Sequence, residues 1–246
     1  MLKKLVFTFF SLTLLLFGDK INIAVAANVS YAIPQLIKEF NKIYPDIVVE
    51  PILGSSGKLT AQISHGASYG IFMSANMKYP QRLYERKIAV SKPVVYAQGA
   101  LAFLSVKKHD FSKGMELLKD KDIRVIATAN PKTAPYGIAA KEAMKNAGVY
   151  NEVKHKFVYG ESISQTVSYT VMAADIGLVA KSSLFSPKMS RFKKGINWID
   201  VDKNLYTPIN QGMVLLKQNK DTKLFYDFIL SEKAKEIFKE FGYSVL

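Results

Sequence analysis

The stretch Pro93-Val94-Val95-Tyr96-Ala97-Gln98-Gly99-Ala100-Leu101-Ala102-Phe103-Leu104 decides how this chain folds. It is long, extended and punctuated by glycine, which suits a strand that leaves one lobe and enters another. A second extended passage, from Tyr206 through Met213 to Leu216, makes the return. Two such passages flanking a central block predict two α/β lobes joined by two crossover strands, with the ligand in the cleft between them. On this reading residues 19–97 and 206–246 form lobe I, and residues 98–205 form lobe II.

Outward from the crossovers, strand and helix alternate. Ile21 to Val25 reads as a buried strand, followed by a helix from Ser30 to Ile43 with Ile33, Leu36, Ile37 and Phe40 at helical spacing. Pro34 falls near the first turn, where a missing N–H costs nothing, and Tyr44-Pro45 ends the helix. Val48 to Ile52 and Ser56 to His65 repeat the plan, and Ile71 to Ser74 is a short strand. In the central block, Ile123 to Thr128, Phe157 to Tyr159 and Ile176 to Ala180 are predicted strands. Tyr136 to Ala147 and Ile163 to Ala174 are predicted helices. Two helices close the chain, Thr222 to Leu230 and Glu232 to Phe241, the second capped by Ser231 and stopped by Gly242. The alternation argues for parallel sheets that bind ligands at the carboxyl ends of their strands.

Met1-Leu2-Lys3-Lys4, an apolar run from Leu5 to Gly18 and then Asp19-Lys20 have the layout of an export signal, expected to be removed after Gly18. The run is too short to span a bilayer comfortably, and no other segment reaches about 18 apolar residues. With no cysteine there is neither a disulfide framework, a thiolate metal site nor a lipid-attachment residue, so a free periplasmic protein is expected. The formal net charge of +14 would steer anions inward. Much of it, as in Lys233, Lys235, Glu236, Lys239 and Glu240, has the interleaved pattern of a solvated helix face rather than of a nucleic-acid surface.

Four strand-to-helix junctions carry the candidate chemistry: Ala26-Ala27-Asn28, Gly54-Ser55-Ser56-Gly57-Lys58, Ala134-Pro135-Tyr136-Gly137 and Gly160-Glu161-Ser162-Ile163. The first turn of a helix presents unpaired N–H donors and a partial positive charge, so small residues there can hold an anion without a cation. If the four starts converge, Ala27, Asn28, Ser55, Ser56, Tyr136 and Ile163 surround one small oxyanion. Tyr136 and Ile163 would act through their backbone N–H groups, and Asn28 and the serines through their side chains as well. A plain serine cap without a ligand is the alternative reading of the second stretch. Glu161, at a helix start, is expected to satisfy the dipole.

Other chemistries find little support. Aligned as a nucleotide phosphate loop, Gly57-Lys58 would need a glycine at Ile52 and a hydroxyl at Leu59. A serine nucleophile would need G-x-S-x-G, and the spacing here is wrong, although a secreted serine hydrolase using Ser55 or Ser56 remains a rival. His65, His109 and His155 form no metal-ligand pattern and are expected on the surface or in loops, with no bare metal ion bound. No acidic pair marks matching strand ends for acid–base catalysis.

Taken together, these motifs resemble those of the periplasmic molybdate-binding proteins of ABC transporters, over essentially the whole chain after the signal. Ala26-Ala27-Asn28 is similar to the first-helix motif of the subgroup that carries asparagine there. Gly54-Ser55-Ser56-Gly57-Lys58-Leu59 with Gln62-Ile63, Phe72-Met73-Ser74-Ala75-Asn76, Ala129 to Gly137, and Pro208-Ile209-Asn210-Gln211-Gly212 resemble further family segments. The resemblance implies a two-lobed type II periplasmic binding protein fold and a non-enzymatic receptor without a cofactor. It would take molybdate or tungstate at Asn28, Ser56, Tyr136 and Ile163, with Ala27 near through its backbone, and pass it to an inner-membrane permease, as a monomer. In one branch a later tyrosine also touches the ligand; the matching position here is Ala180. Gly70 and Asn76 depart from acidic residues common in the family. Sulfate or another tetrahedral oxyanion on the same fold is the nearest alternative.

Overall fold

The computed structural model describes residues 20–245. The export-signal reading of residues 1–18 lies outside the described residues.

Two five-stranded mixed sheets organise the chain. The first contains β1 (Lys20–Ala26), β2 (Val48–Gly54), β3 (Ile71–Ser74), β4 (Val94–Gly99) and β10 (Ile209–Leu215), in the order β2-β1-β3-β10-β4. The second contains β5 (Leu101–Leu104), β6 (Ile126–Ala129), β7 (Phe157–Gly160), β8 (Ile176–Ala180) and β9 (Trp198–Asp200), in the order β7-β6-β8-β5-β9. The stretch around Gly99 is thus two strands. β4 pairs antiparallel with β10 in the first sheet, and β5 pairs antiparallel with β8 and β9 in the second. The expected parallel pairing holds for β1 with β2 and β3, and for β6 with β7 and β8. The crossover strands are the antiparallel exceptions, because a chain that arrives from the other sheet need not obey the βαβ rule.

Alternation sorts the side chains of each strand between two helical layers. On the first sheet Ile21, Ile23 and Val25 pack with Leu36 and Phe40 of α1 (Ile33–Ile43), and with residues of α7 (Lys220–Ile229) and α8 (Glu232–Glu240). Ala24 and Phe72 face the other way, onto Leu59 and Ile63 of α2 (Ser56–Ser64) and Leu83 of α3 (Lys78–Glu85). On the second sheet Leu101, Phe103, Ile126 and Leu178 pack with α4 (Pro135–Asn146) and α5 (Tyr150–Val153), while Ala102, Leu104 and Val179 meet Val167 of α6 (Ile163–Met172) and Trp198.

Two elements differ from expectation near functional positions. The first helix divides into a 3-10 turn, Ala27–Tyr31, and α1, with Pro34 in the first turn of α1. β6 begins at Ile126 rather than Ile123, because the N–H groups of Arg124 and Val125 are taken by the Asp175 carboxylate at 2.9 and 3.0 Å instead of by a strand ladder.

Candidate functional site

The carboxyl ends of β1 and β2 face the starts of α4 and α6 across a small, tight recess. Its wall contains Ala27, Asn28, Ser55, Ser56, Tyr136 and Ile163, so the structure brings all six sequence-derived candidates together. The rest of the wall is Ala26, Gly54, Ala75, Ala134 and Pro135, and no charged side chain lines it.

The two serines occupy different positions. Ser55 is the N-cap of α2, in extended conformation, yet its side chain makes no capping bond; its hydroxyl is buried without a partner. Ser56 accepts the Ala75 N–H at 2.9 Å, which uses an oxygen lone pair and leaves the hydroxyl proton free to donate. From the facing lobe, the N–H groups of Tyr136 and Ile163 lie in the first turns of α4 and α6, beyond reach of any carbonyl of their own helices. The recess therefore offers hydroxyl and amide donors and two helix N-terminal dipoles, a set that stabilises an anion.

Asn28 behaves differently from expectation. Its side-chain amide donates to Gln211 Oε1 at 2.8 Å and to the Tyr243 hydroxyl at 2.9 Å, so both N–H donors are engaged within the protein. The orientation is fixed from both ends. Tyr243 gives its own proton to the Asn28 carbonyl oxygen at 2.9 Å and can only accept from the amide, while Gln211 Nε2 faces the Ile209 carbonyl at 2.9 Å. What remains of the Asn28 side chain is Oδ1, a buried acceptor without a partner. Neither Gln211 nor Tyr243 stands out from sequence as a site residue. Gln211 reaches Asn28 from beside a register shift in β10, between Gln211 and Gly212, and such bulges leave little trace in composition.

Tyr136 comes up to this network from the second lobe, its buried hydroxyl without a hydrogen-bond partner. Its ring is fully buried, and its hydroxyl lies where a Cβ on Gly99 would stand, so glycine at the first crossover is a condition of the tyrosine's position. Burial, with the nearby phenols of Tyr243, Tyr96 and Tyr206, pushes the Tyr136 hydroxyl well above its ordinary range and keeps it neutral.

The lobes meet around the recess. Gly57 N–H donates to the Thr133 carbonyl at 2.9 Å, Ser164 Oγ to the Ala27 carbonyl at 2.8 Å, and Ser182 Oγ to the Asn28 carbonyl at 2.9 Å. Glu161 does not cap α6; that bond comes from Ser162, which accepts the Gln165 N–H. The Glu161 carboxylate instead pairs with Lys58 across the cleft at 2.8 Å, because Ser162 already occupies the N-cap position. His65, His109 and His155 all lie away from the recess, and among the described residues no three His, Cys, Asp or Glu side chains cluster as a metal site.

Comparison with known proteins agrees with this architecture. Residues 21–244 match the family described as bacterial extracellular solute-binding protein. The molybdate-binding protein ModA of Rhodobacter capsulatus is 35% identical over 77% of this chain and 75% of its own. ModA of Azotobacter vinelandii is 31% identical over 92% of this chain and 90% of its own. The solved structure of the Azotobacter vinelandii periplasmic molybdate-binding protein superposes with a TM-score of 0.82 at 29% identity, covering 92% of this chain and 99% of that one. The chain thus belongs to the bacterial extracellular solute-binding proteins and, among them, to the family of ModA.

Proposed function

We propose that this protein is the substrate-binding component of a molybdate ABC transporter, and that it holds molybdate or tungstate in the recess between its lobes. The observation that carries the reading is the buried, partnerless hydroxyl of Ser55 in a wall without charged side chains, opposite the first turns of α4 and α6. A fully deprotonated tetrahedral dianion needs donors, and the recess supplies them from Ser55, Ser56 and the N–H groups of Tyr136 and Ile163. Closure brings the two halves of the donor set onto one ligand, so affinity depends on the closed arrangement. In this reading the protein works in the periplasm as a monomer, after loss of residues 1–18, has no catalytic step, and delivers its cargo to a membrane permease.

Calorimetric titration of residues 19–246 with molybdate, tungstate, sulfate and phosphate tests this. One-to-one binding of molybdate or tungstate, with sulfate silent, is the expected result. Sulfate binding equally tightly would keep the fold and change the cargo. A phosphate response would assign Asn28 Oδ1 to a ligand proton, and silence from all four would overturn the receptor reading.

A further inference from the structure

Beside the ligand recess, and sharing no lining residue with it, runs an open groove composed of two joined hollows of about 420 and 520 Å³. Ser30, Tyr31, Ser186 and Lys188 line both hollows and make them continuous. One wall comes from the first lobe, through Ser30, Tyr31 and Pro34; the other comes from α6 and from residues 186–191, beyond β8, in the second lobe. Where the walls meet, the Ser30 and Ser164 hydroxyls are 3.3 Å apart and Ser164 also binds the Ala27 carbonyl. Ser164 follows Ile163, which lines the ligand recess. The groove is therefore built by both lobes together, where they meet beside the recess.

Its surface is that of an interface rather than of ordinary solvated protein. Met172, at the end of α6, is 83% exposed beside the half-buried Val171, and methionine on an open surface adapts to a partner's shape. Lys188 and Arg191 stand on the rim. Nearby Lys181 and Lys194 converge on Asp200 at 2.8 and 3.1 Å, but among the described residues Lys188 and Arg191 have no carboxylate within salt-bridge distance. The segment 181–203 holds six lysines and arginines against Asp200 and Asp202 only. Exposed Met and Arg with uncompensated positive charge favour an apolar partner surface bearing acidic groups.

We propose that this two-lobe groove docks an acidic, partly apolar surface of the transporter's membrane component. The proposal rests on the receptor reading above. Its occupant is a protein surface, since the walls from two lobes form a shaped, largely apolar trough rather than a flat basic face.

The test uses the full mature protein and its transporter reconstituted in proteoliposomes, with molybdate present and ATP hydrolysis measured against binding-protein concentration. The double variant K188E/R191E should keep its calorimetric Kd for molybdate within about twofold, because neither residue lines the recess, while its half-stimulating concentration rises at least tenfold. Added salt should raise the wild-type half-stimulating concentration and leave the variant's almost unchanged. K108E/K121E, two exposed lysines of the second lobe that lie outside the groove and have no salt-bridge partner among the described residues, serves as the control and should behave as wild type. M172D, which leaves both cations in place, should also weaken stimulation. Equal stimulation by K188E/R191E and wild type would overturn the proposal, as would an equal loss in the control variant. So would binding to anionic phospholipid vesicles without transporter that disappears in K188E/R191E, since the occupant would then be lipid. A wild-type protein that fails to bind molybdate would instead overturn the receptor reading, whereas one that binds it normally confines any failure to the groove.

Discussion

Ser55 and Ser56 are neighbours with separate duties, and their different partners allow them to be told apart by experiment. Ser55 spends no hydrogen bond inside the protein, so Ser55→Ala is expected to leave the melting temperature of the ligand-free protein unchanged. It should weaken molybdate binding by about 1.5–3 kcal/mol, the scale of a hydrogen bond to a charged group, or roughly 10- to 150-fold in Kd. Ser56→Ala removes the acceptor for the buried Ala75 N–H as well, so it should lower both the affinity and the melting temperature, the latter by an orphaned-donor cost of about 1–3 kcal/mol. Calorimetry and thermal melts on the two variants separate these outcomes, and intact affinity in Ser55→Ala would remove that residue from the site. The sequence marks both serines, because a small-residue helix start is a local pattern. It does not rank them, since the ranking depends on Ala75 arriving from the end of β3. Asn28 shows the same limit more sharply. Its donors go to Gln211 and Tyr243, 183 and 215 residues away in the chain, and no local motif encodes that pairing.

At the scale of elements, the strands and helices that set up the recess follow from hydrophobic period and capping residues, and their ends follow from partners that lie far off. The start of β6 illustrates the point. Asp175, between α6 and β8, accepts the Arg124 and Val125 N–H groups and pairs with Lys107 at 2.9 Å, so three distant stretches are tied together by one carboxylate. Its burial alone would raise its pKa. The Lys107 ammonium and the two backbone donors outweigh that and bring it down to about 2. A carboxyl whose folded pKa is lowered contributes stability that is complete above its unfolded value near 3.8 and is lost as pH falls through the folded value. The melting temperature of the wild type should therefore drop between about pH 4 and pH 2 with a component that Asp175→Asn lacks. At neutral pH Asp175→Asn should cost about 2 kcal/mol, because a neutral amide cannot replace a charged acceptor serving two N–H groups. Parallel melts of the two proteins across that pH range test this, and identical pH profiles would remove Asp175 as the clamp. The two crossovers are legible for a related reason: extended apolar passages longer than one strand announce a change of sheet. The antiparallel pairing of β4, β5 and β10 is not legible, because it depends on which sheet the returning strand enters.

For the whole molecule, the question is what holds the lobes closed. Two contacts at the start of α2 cross the cleft side by side, and they differ in kind. The Lys58–Glu161 pair joins two side chains that are each more than half exposed, so solvent screening limits it to about 0–1 kcal/mol, and Lys58→Ala should change molybdate affinity by no more than about fivefold. Gly57 touches the opposite lobe with its backbone: its N–H donates to the Thr133 carbonyl, and a Cβ there would lie 2.8 Å from that same oxygen and 2.8 Å from the Tyr79 hydroxyl. The Tyr79 side chain can turn away, but the Thr133 carbonyl is main chain and cannot yield unless the lobes separate. Gly57→Ala should therefore fold and melt like wild type without ligand, since the open protein has room for the methyl group. With saturating molybdate, it should bind at least tenfold more weakly and show less of the decrease in radius of gyration that solution X-ray scattering is expected to record for wild type. The same contraction and the same affinity in Gly57→Ala would mean that the Thr133 loop moves freely and that closure is set elsewhere, at the crossovers. A loss of affinity with full contraction would place the fault in the donor set at Ser55 and Ser56, the two residues before Gly57, rather than in the approach of the lobes.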